Sequence, residues 1–559
     1  MAVAWNANSA AYLLRRAGFG PTPAEVETFA ALGHEQSVDR LVDYESIDNS
    51  ALETRLTQLS LDLGEIVQIY YWWLYRMLYT ARPLEEKLTL FWHGHFATSY
   101  AKVNDTGFTL AQNQLFRRRA VGDFQQTLIE VSADPAMLFW LDNVVSVKEA
   151  PNENYARELM ELFSLGIGNY TETDVKEVAR CFTGWTFRGD GFDFIDGIHD
   201  DDAKNVLGTF IPSGQGIEDG RQVCRILAGS PVCEQFLAKK LWAFFGTGPA
   251  PQAAIDAMAS AYRSNSRSIR EMVRTMFMRD EFFAASIADA QIKSPVEIYV
   301  GTLRSLEASR AIIEFADFRY FIFNTVSMGQ TLFFPPSVKG WDGGRKWVNT
   351  STLIARFNFT NGVAMIRGEG YQLVDAAALV AQTGATTPET IVDAFAGRLG
   401  PLDIGSAAKR RLADYLRARP DGTPGEFTLD TETIDTKIRG LMRLLMSTAE
   451  YQVHALAVDP DLAAPVIVSP AIKKGKLLLS DTGAGLHAGA RLRVTGESIA
   501  GTEFFPLSPK GATKWVVGKK VRSTPGGRTI DELIPAGATV TLVVENPDGV
   551  QSLPYDLTR

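Results

Sequence analysis

Apolar residues recur at three- and four-residue intervals from about residue 9 to residue 458, and that spacing predicts amphipathic helices through most of the chain. The clearest runs cover residues 10–17, 24–32, 61–80, 84–96, 155–165, 174–183 and 232–245. Several carry start signals. Thr22 precedes one helix with Glu25 three positions on, Thr171 stands three before Asp174, and Asn349 reads as the cap of a helix over 350–357. The pattern breaks between 186 and 212, where 192–195 and 206–211 read as the two strands of one β-hairpin, with His199, Asp200, Asp201, Asp202 and Lys204 in its loop. After residue 459 short β runs at 476–479, 491–494, 514–517 and 539–544 alternate with Gly, Pro and Asp turns, Asn546-Pro547-Asp548-Gly549 among them. The prediction is a mainly α multi-helical domain over 1–458 with an inserted β-hairpin, then a small all-β immunoglobulin-like sandwich over 459–559.

Composition narrows the function classes. A chain of 559 residues exceeds the ~250–300 residues that one core supports. The net charge is −9, and Lys and Arg are spread along the chain, which argues against a nucleic-acid partner. No apolar stretch reaches the ~18 residues of a membrane span; the aromatic run 66–79 carries Gln68 and Arg76 and reads as a buried helix. No signal peptide is visible, so a cytoplasmic protein or a trimmed chain is expected. Three cysteines without a CxxC pair read as reduced, packed thiols, although Cys224 and Cys233 flank a turn that a bridge could span. There is no P-loop, no Gly-rich dinucleotide turn, no G-x-S-x-G and no H-E-x-x-H, and no cofactor is predicted.

Four polar constellations remain. Trp92-His93-Gly94-His95 puts two of only six histidines within three positions. On a continuous helix their side chains point ~200° apart, so they share a metal only if the helix frays at Gly94 or the segment is extended; otherwise one faces a polar site with the other packed, or both are structural. Asn152, Glu153 and Asn154 open a helix whose polar face carries Asn154, Arg157, Glu158 and Glu161. Spacing makes Arg157–Glu161 a surface pair at i, i+4, while Glu158 with Glu161 could divide acid and base work. His199-Asp200 could act as an imidazole with its orienting carboxylate, or lie in an ordinary exposed turn. Pro335-Pro336 and Gly343-Gly344 bracket a stiff loop in which Trp341 offers a flat face to a sugar ring, and Trp347 reads as a core plug.

Four segments, LLRRAGFGPTPAEVE from residue 13, LFWHGHFATS from 90, NENYARELMELFSLGIGNYTETDVKEVARCFTGWTF from 152 and FFPPSVKGWDGGRKWVNTSTLIAR from 333, resemble in order the bacterial family called domain of unknown function 1800. The resemblance runs from residue 13 to 359 and more loosely to His454. It implies that Trp92, His93, His95, Asn152, Glu153, Asn154, Arg157, Glu158, Glu161, His199, Asp200, Lys204, Trp341 and Asp342 sit at motif positions. It also implies an extracytoplasmic location, which the chain's visible N-terminus does not match. The segment His-Asp-Asp-Asp-Ala-Lys lacks the glycine expected after His199-Asp200, a change expected to alter the turn there. The last 95 residues resemble the IPT/TIG type of immunoglobulin-like fold.

Three functions follow as expectations. The first is a hydrolase or lyase-like enzyme on an extended envelope or extracellular glycan. Its catalytic set is Glu158, Glu161, Arg157, His93, His199 and Asp200, and its substrate-binding set is Asn152, Asn154, Trp92, Lys204, Trp341 and Asp342. The second is a non-catalytic surface or assembly protein with structural polar motifs, docking a protein partner through the β domain. The third is a metal-dependent enzyme using His93 or His95, His199 and carboxylates.

Overall fold

Helices begin where the capping signals stand. Thr22 and Glu25 cap each other's backbone at the start of Pro23–Leu32, as do Thr171 and Asp174 at Glu172–Cys181 and Asn349 and Thr352 at Thr350–Met365. The structure, a computed structural model, describes residues 5–283, 290–308, 318–368, 371–419, 421–454, 467–474, 476–481, 490–496, 499, 502–511, 514–545, 552 and 555–559. One compact unit is helical and takes in the chain to residue 385 with 394–402 and 429–456. The other comprises 386–393, 403–428 and 457–559. No helix among the described residues is long and apolar enough to cross a membrane.

In the helical unit the aromatic helix Ile66–Tyr79 is buried continuously from Ile69 to Leu78, and Pro83–His95 from Leu84 to His93. Burial on all sides encloses charged residues, and each needs partners. Glu86 is fully buried. Its carboxylate accepts from Arg117 through Nε (2.7 Å) and Nη2 (2.9 Å), from Arg76 Nε (2.9 Å) and from the Trp73 indole (3.0 Å). Burial alone would raise its pKa, but the Arg117 and Arg76 guanidiniums pull it down from 4.5 to about 2. Cys181, Cys224 and Cys233 are all buried free thiols, so 224 and 233 are not bridged.

The insertion is two hairpins where one was expected. Trp185–Arg188 pairs with Gly191–Phe194, and Lys204–Val206 pairs with Thr209–Ile211. Two-residue connections close each pair locally. In the second, Leu207 and Gly208 both take positive φ (51° and 77°), the conformation that matches strand twist in a tight hairpin.

The small unit holds two four-stranded antiparallel sheets. One runs Glu503–Pro506, Arg491–Thr495, Thr539–Glu545, Tyr555–Thr558; the other runs Ser508–Gly511, Lys514–Val517, Lys476–Asp481, Ile467–Lys473. Alternating residues of both, Leu492, Val494, Val540 and Leu542 with Leu477, Leu479, Trp515 and Val517, form one core. The predicted β runs therefore fold as strands, and the turn expected at Asn546–Gly549 lies outside the described residues. The chain is a mainly helical domain followed by a small β domain, as the hydrophobic pattern predicts.

Glu86→Gln is expected to lower stability by about 3–5 kcal/mol near neutral pH, because buried Arg117 loses its carboxylate partner and Arg76 keeps only the exposed Glu53. The folded pKa lies below the unfolded one, so the Glu86 contribution is complete above about 4.5 and fades as pH falls towards about 2. Denaturant titrations at pH 7 and pH 3 check this: the deficit of the variant should shrink at the lower pH, and an equal deficit at both would contradict it.

Candidate functional site

The loop from Phe333 to Trp347 seats on the last turn of Pro83–His95. The Phe333 amide donates to His93 Nε2 (3.0 Å), and the Tyr100 amide donates to the Phe333 carbonyl (2.8 Å). Gly340, at φ +74°, approaches so closely that a Cβ there would lie 2.3 Å from the Gly94 carbonyl oxygen. The Trp341 ring packs against His93 with centroids 5.5 Å apart. The helix stays intact through His95, so the two imidazoles diverge. His93 turns to the loop, where burial pushes its pKa down to about 3, and it accepts a hydrogen bond as a neutral ring. His95 turns the other way and donates from Nε2 to the Phe163 carbonyl (3.0 Å).

Between helix and loop lies a cavity of about 460 Å³. Phe91, Phe244, Trp341 and Trp347 supply apolar walls, and His95, Lys240, Lys339 and Asp342 supply polar groups. With Nε2 committed to Phe163, His95 Nδ1 is the lone-pair nitrogen, and it is buried without a hydrogen-bond partner. Burial, reinforced by the Lys240 charge, holds the ring well below the ordinary histidine pKa, so it is neutral. Lys240 is half-buried over the Phe236 ring (5.4 Å), and burial lowers its pKa. Among the described residues no carboxylate pairs with it. Glu297, also on the cavity wall, is already engaged. It binds buried Lys87, faces His454 Nε2 at 3.1 Å, and accepts from the Ser294 amide (2.7 Å). Burial opposes ionisation, but Lys87 and His454 hold its carboxyl well below the usual range.

The other expected residues divide into three places. Glu158 is half-buried and does not line the cavity. Burial and Glu161 raise its carboxyl, and the charges of Lys339 and Arg157 partly oppose them. Glu161 accepts from the Tyr170 hydroxyl (2.6 Å). Arg157 does not pair with Glu161, as spacing suggests; it grips Glu172 on the next helix with two bonds (2.7 and 2.8 Å), because a bidentate fork outcompetes a single i, i+4 contact. Asn152 caps Glu153–Glu161 and, like Asn154, donates to the Leu141 carbonyl. Trp92, expected at a substrate, is fully buried and donates to the Ala120 carbonyl (3.0 Å).

His199, Asp200 and Lys204 form a separate network that does not line the cavity. His199 Nδ1 donates to the Thr183 carbonyl (2.8 Å), and Nε2 faces Asp219 Oδ2 (3.1 Å). Lys204, buried, binds Asp219 (2.6 Å) and the Asp200 and Asp202 carbonyls. Arg180 takes Asp200 with two bonds (2.6 and 3.0 Å). His199 is thus in a buried network and not in an open turn. Among the described residues no three His, Cys, Asp or Glu side chains come together as metal ligands.

Sequence reasoning missed Lys240 and Glu297. Lys240 sits in a helix as one of two adjacent lysines beside buried Leu237, Ala238 and Leu241, which reads as an ordinary polar flank. Nothing in the spacing marks Glu297, whose partner Lys87 is 210 positions away.

A family model described as "Protein of unknown function (DUF1800)" matches residues 12–453, and the chain belongs to that family. Neither the curated proteins nor the solved structures include a match.

Gly340→Ala is expected to cost at least about 1 kcal/mol, since it adds both a strained φ and a clash with the Gly94 carbonyl. Thermal melting and the fluorescence of Trp341 would both register the displaced loop. An unchanged melt and spectrum would show that the loop does not rest on this contact.

Proposed function

We propose that this DUF1800 protein is an acid–base enzyme of hydrolase or lyase type acting on an extended envelope or extracellular glycan. The observation that carries the reading is His95. A neutral imidazole on a cavity wall, oriented by a backbone carbonyl and with its other nitrogen buried and unpartnered, has the form of a general base. His93, named with the catalytic residues from sequence, would position the loop, and His95 takes its place as base. Glu158, with its raised carboxyl, would be the corresponding acid, its charge coupled to that of Lys339 on the cavity wall. Trp341 and Trp347 would stack on sugar rings, with Asp342 at the rim. Glu161 and Arg157 would tune Glu158, and Asn152 and Asn154 would hold its helix. The C-terminal β domain, read as an IPT/TIG-like module, would bind the same polymer or a protein partner.

A second reading, a non-catalytic surface or assembly protein, draws support from the His199–Asp219–Lys204 network. Its side chains are sealed and bound to one another, as in a structural polar core.

The test is a screen of envelope and extracellular polysaccharides for new chain ends. His95→Gln and Glu158→Gln should each lower turnover by about 10²–10⁴-fold with little change in melting temperature. The rate should fall as pH rises through the raised Glu158 pKa, because an acid works only while protonated. Both variants keeping full turnover, or wild type acting on no polymer, would favour the structural reading. That reading instead predicts that both variants melt early.

A further inference from the structure

A second cavity, of about 340 Å³, adjoins the one described above, and Trp341, Asp342, Gly343 and Trp347 line both. Trp341 is half-buried and Asp342 exposed, so the wall the two spaces share is reachable from solvent. Each volume falls within the ~300–1,000 Å³ of small-molecule sites. Two buried donors on these walls have nothing to donate to. Trp347 is only 9% exposed, and its indole N–H makes no hydrogen bond among the described residues. A Cβ on Gly343 would stand 3.8 Å from that nitrogen, which puts the N–H edge beside the shared wall. Gln330, 4% exposed, lines the first cavity. Its Oε1 accepts from the Val296 amide (3.1 Å), and its Nε2 has no partner among the described residues. A buried donor left unpaired is costly, and an oxygen entering from the cavity removes that cost. The second cavity adds polar groups of its own. Ser337 Oγ accepts from the Lys339 amide (3.3 Å) and Asn349 Oδ1 from the Thr352 amide (3.0 Å), which leaves a hydroxyl proton and Asn349 Nδ2 to donate. The Asp342 carboxylate can accept. Donors and an acceptor around an indole suit a sugar ring, whose faces are apolar and whose hydroxyls both donate and accept.

Resting on the glycan reading above, we propose that the second cavity is a further sugar subsite, and that the ligand is a chain laid across Trp341–Gly343 with one unit in each cavity. The Trp347 N–H donates to the chain where the two spaces meet, and Gln330 Nε2 donates to the unit in the first cavity. Ser337, Asn349 and Asp342 hold the unit in the second. Trp341 lines both spaces and is the apolar surface the two units share. A single sugar fills one cavity only. A longer chain gains the second set of contacts without a second loss of free motion, so affinity rises steeply with length.

Calorimetry on the full chain with cello-, chito- and galacturonate oligomers, from monomer to hexamer, reads the length dependence. In a series that binds, affinity should rise about tenfold or more between the monomer and the shortest oligomer that reaches both cavities. Ser337→Trp, at an exposed position, fills the second cavity; it should abolish that rise and leave binding of the shortest ligands as in wild type. Trp347→Phe keeps an aromatic ring and loses the N–H, and it should weaken the longer oligomers several-fold with an unchanged melt. Equal affinity for every length, or a rise that survives both substitutions, overturns the second subsite and leaves the glycan reading standing. Absence of binding in all three series overturns the proposal together with that reading.

Discussion

The seat of the Phe333–Trp347 loop on the helix end at Gly94 is the contact on which the rest of the site depends. Backbone meets backbone there, which only glycine at 340 permits. The Phe333 amide must find an acceptor inside the protein, and His93 is that acceptor. With His93 held by the loop, helical geometry sends His95 to the other side, against the Phe163 carbonyl. Trp341, Asp342 and Lys339 follow on the same loop and close the cavity over His95. Three sequence motifs are thereby joined by contacts that each satisfy a buried polar group.

Three carboxylates of the helical domain gather donors from distant parts of the chain. Glu86 has two guanidiniums and an indole, Glu297 has a lysine and an amide, and Asp219 has a lysine and a histidine. These networks are costly to desolvate, and once formed they oppose alternative packings of the same helices.

Much of the architecture is legible in the pattern of residues. Capping boxes at Thr22, Thr171 and Asn349 mark helix starts because the reciprocal bonds span only three residues. Period-two runs such as 491–494 and 539–544 become strands because one face must enter the core. The strand partners of the insertion were not legible, since a two-residue turn at Leu207-Gly208 competes with a long-loop hairpin and local closure wins. Helical spacing places Arg157 on the right face but does not reveal Glu172 on the next helix. It states that His93 and His95 diverge, yet it cannot say which one meets the cavity. That depends on a loop 240 residues downstream.

The central claim is that His95, on the cavity wall, keeps an unprotonated Nδ1. Nitrogen NMR of protein labelled with ¹⁵N-histidine, with His95→Gln assigning the signal, measures this directly. The account predicts a neutral ring carrying its proton on Nε2, unchanged through mildly acidic pH, with the Nδ1 signal moving when ligand enters. A doubly protonated ring near pH 6, or a proton resident on Nδ1, would contradict it.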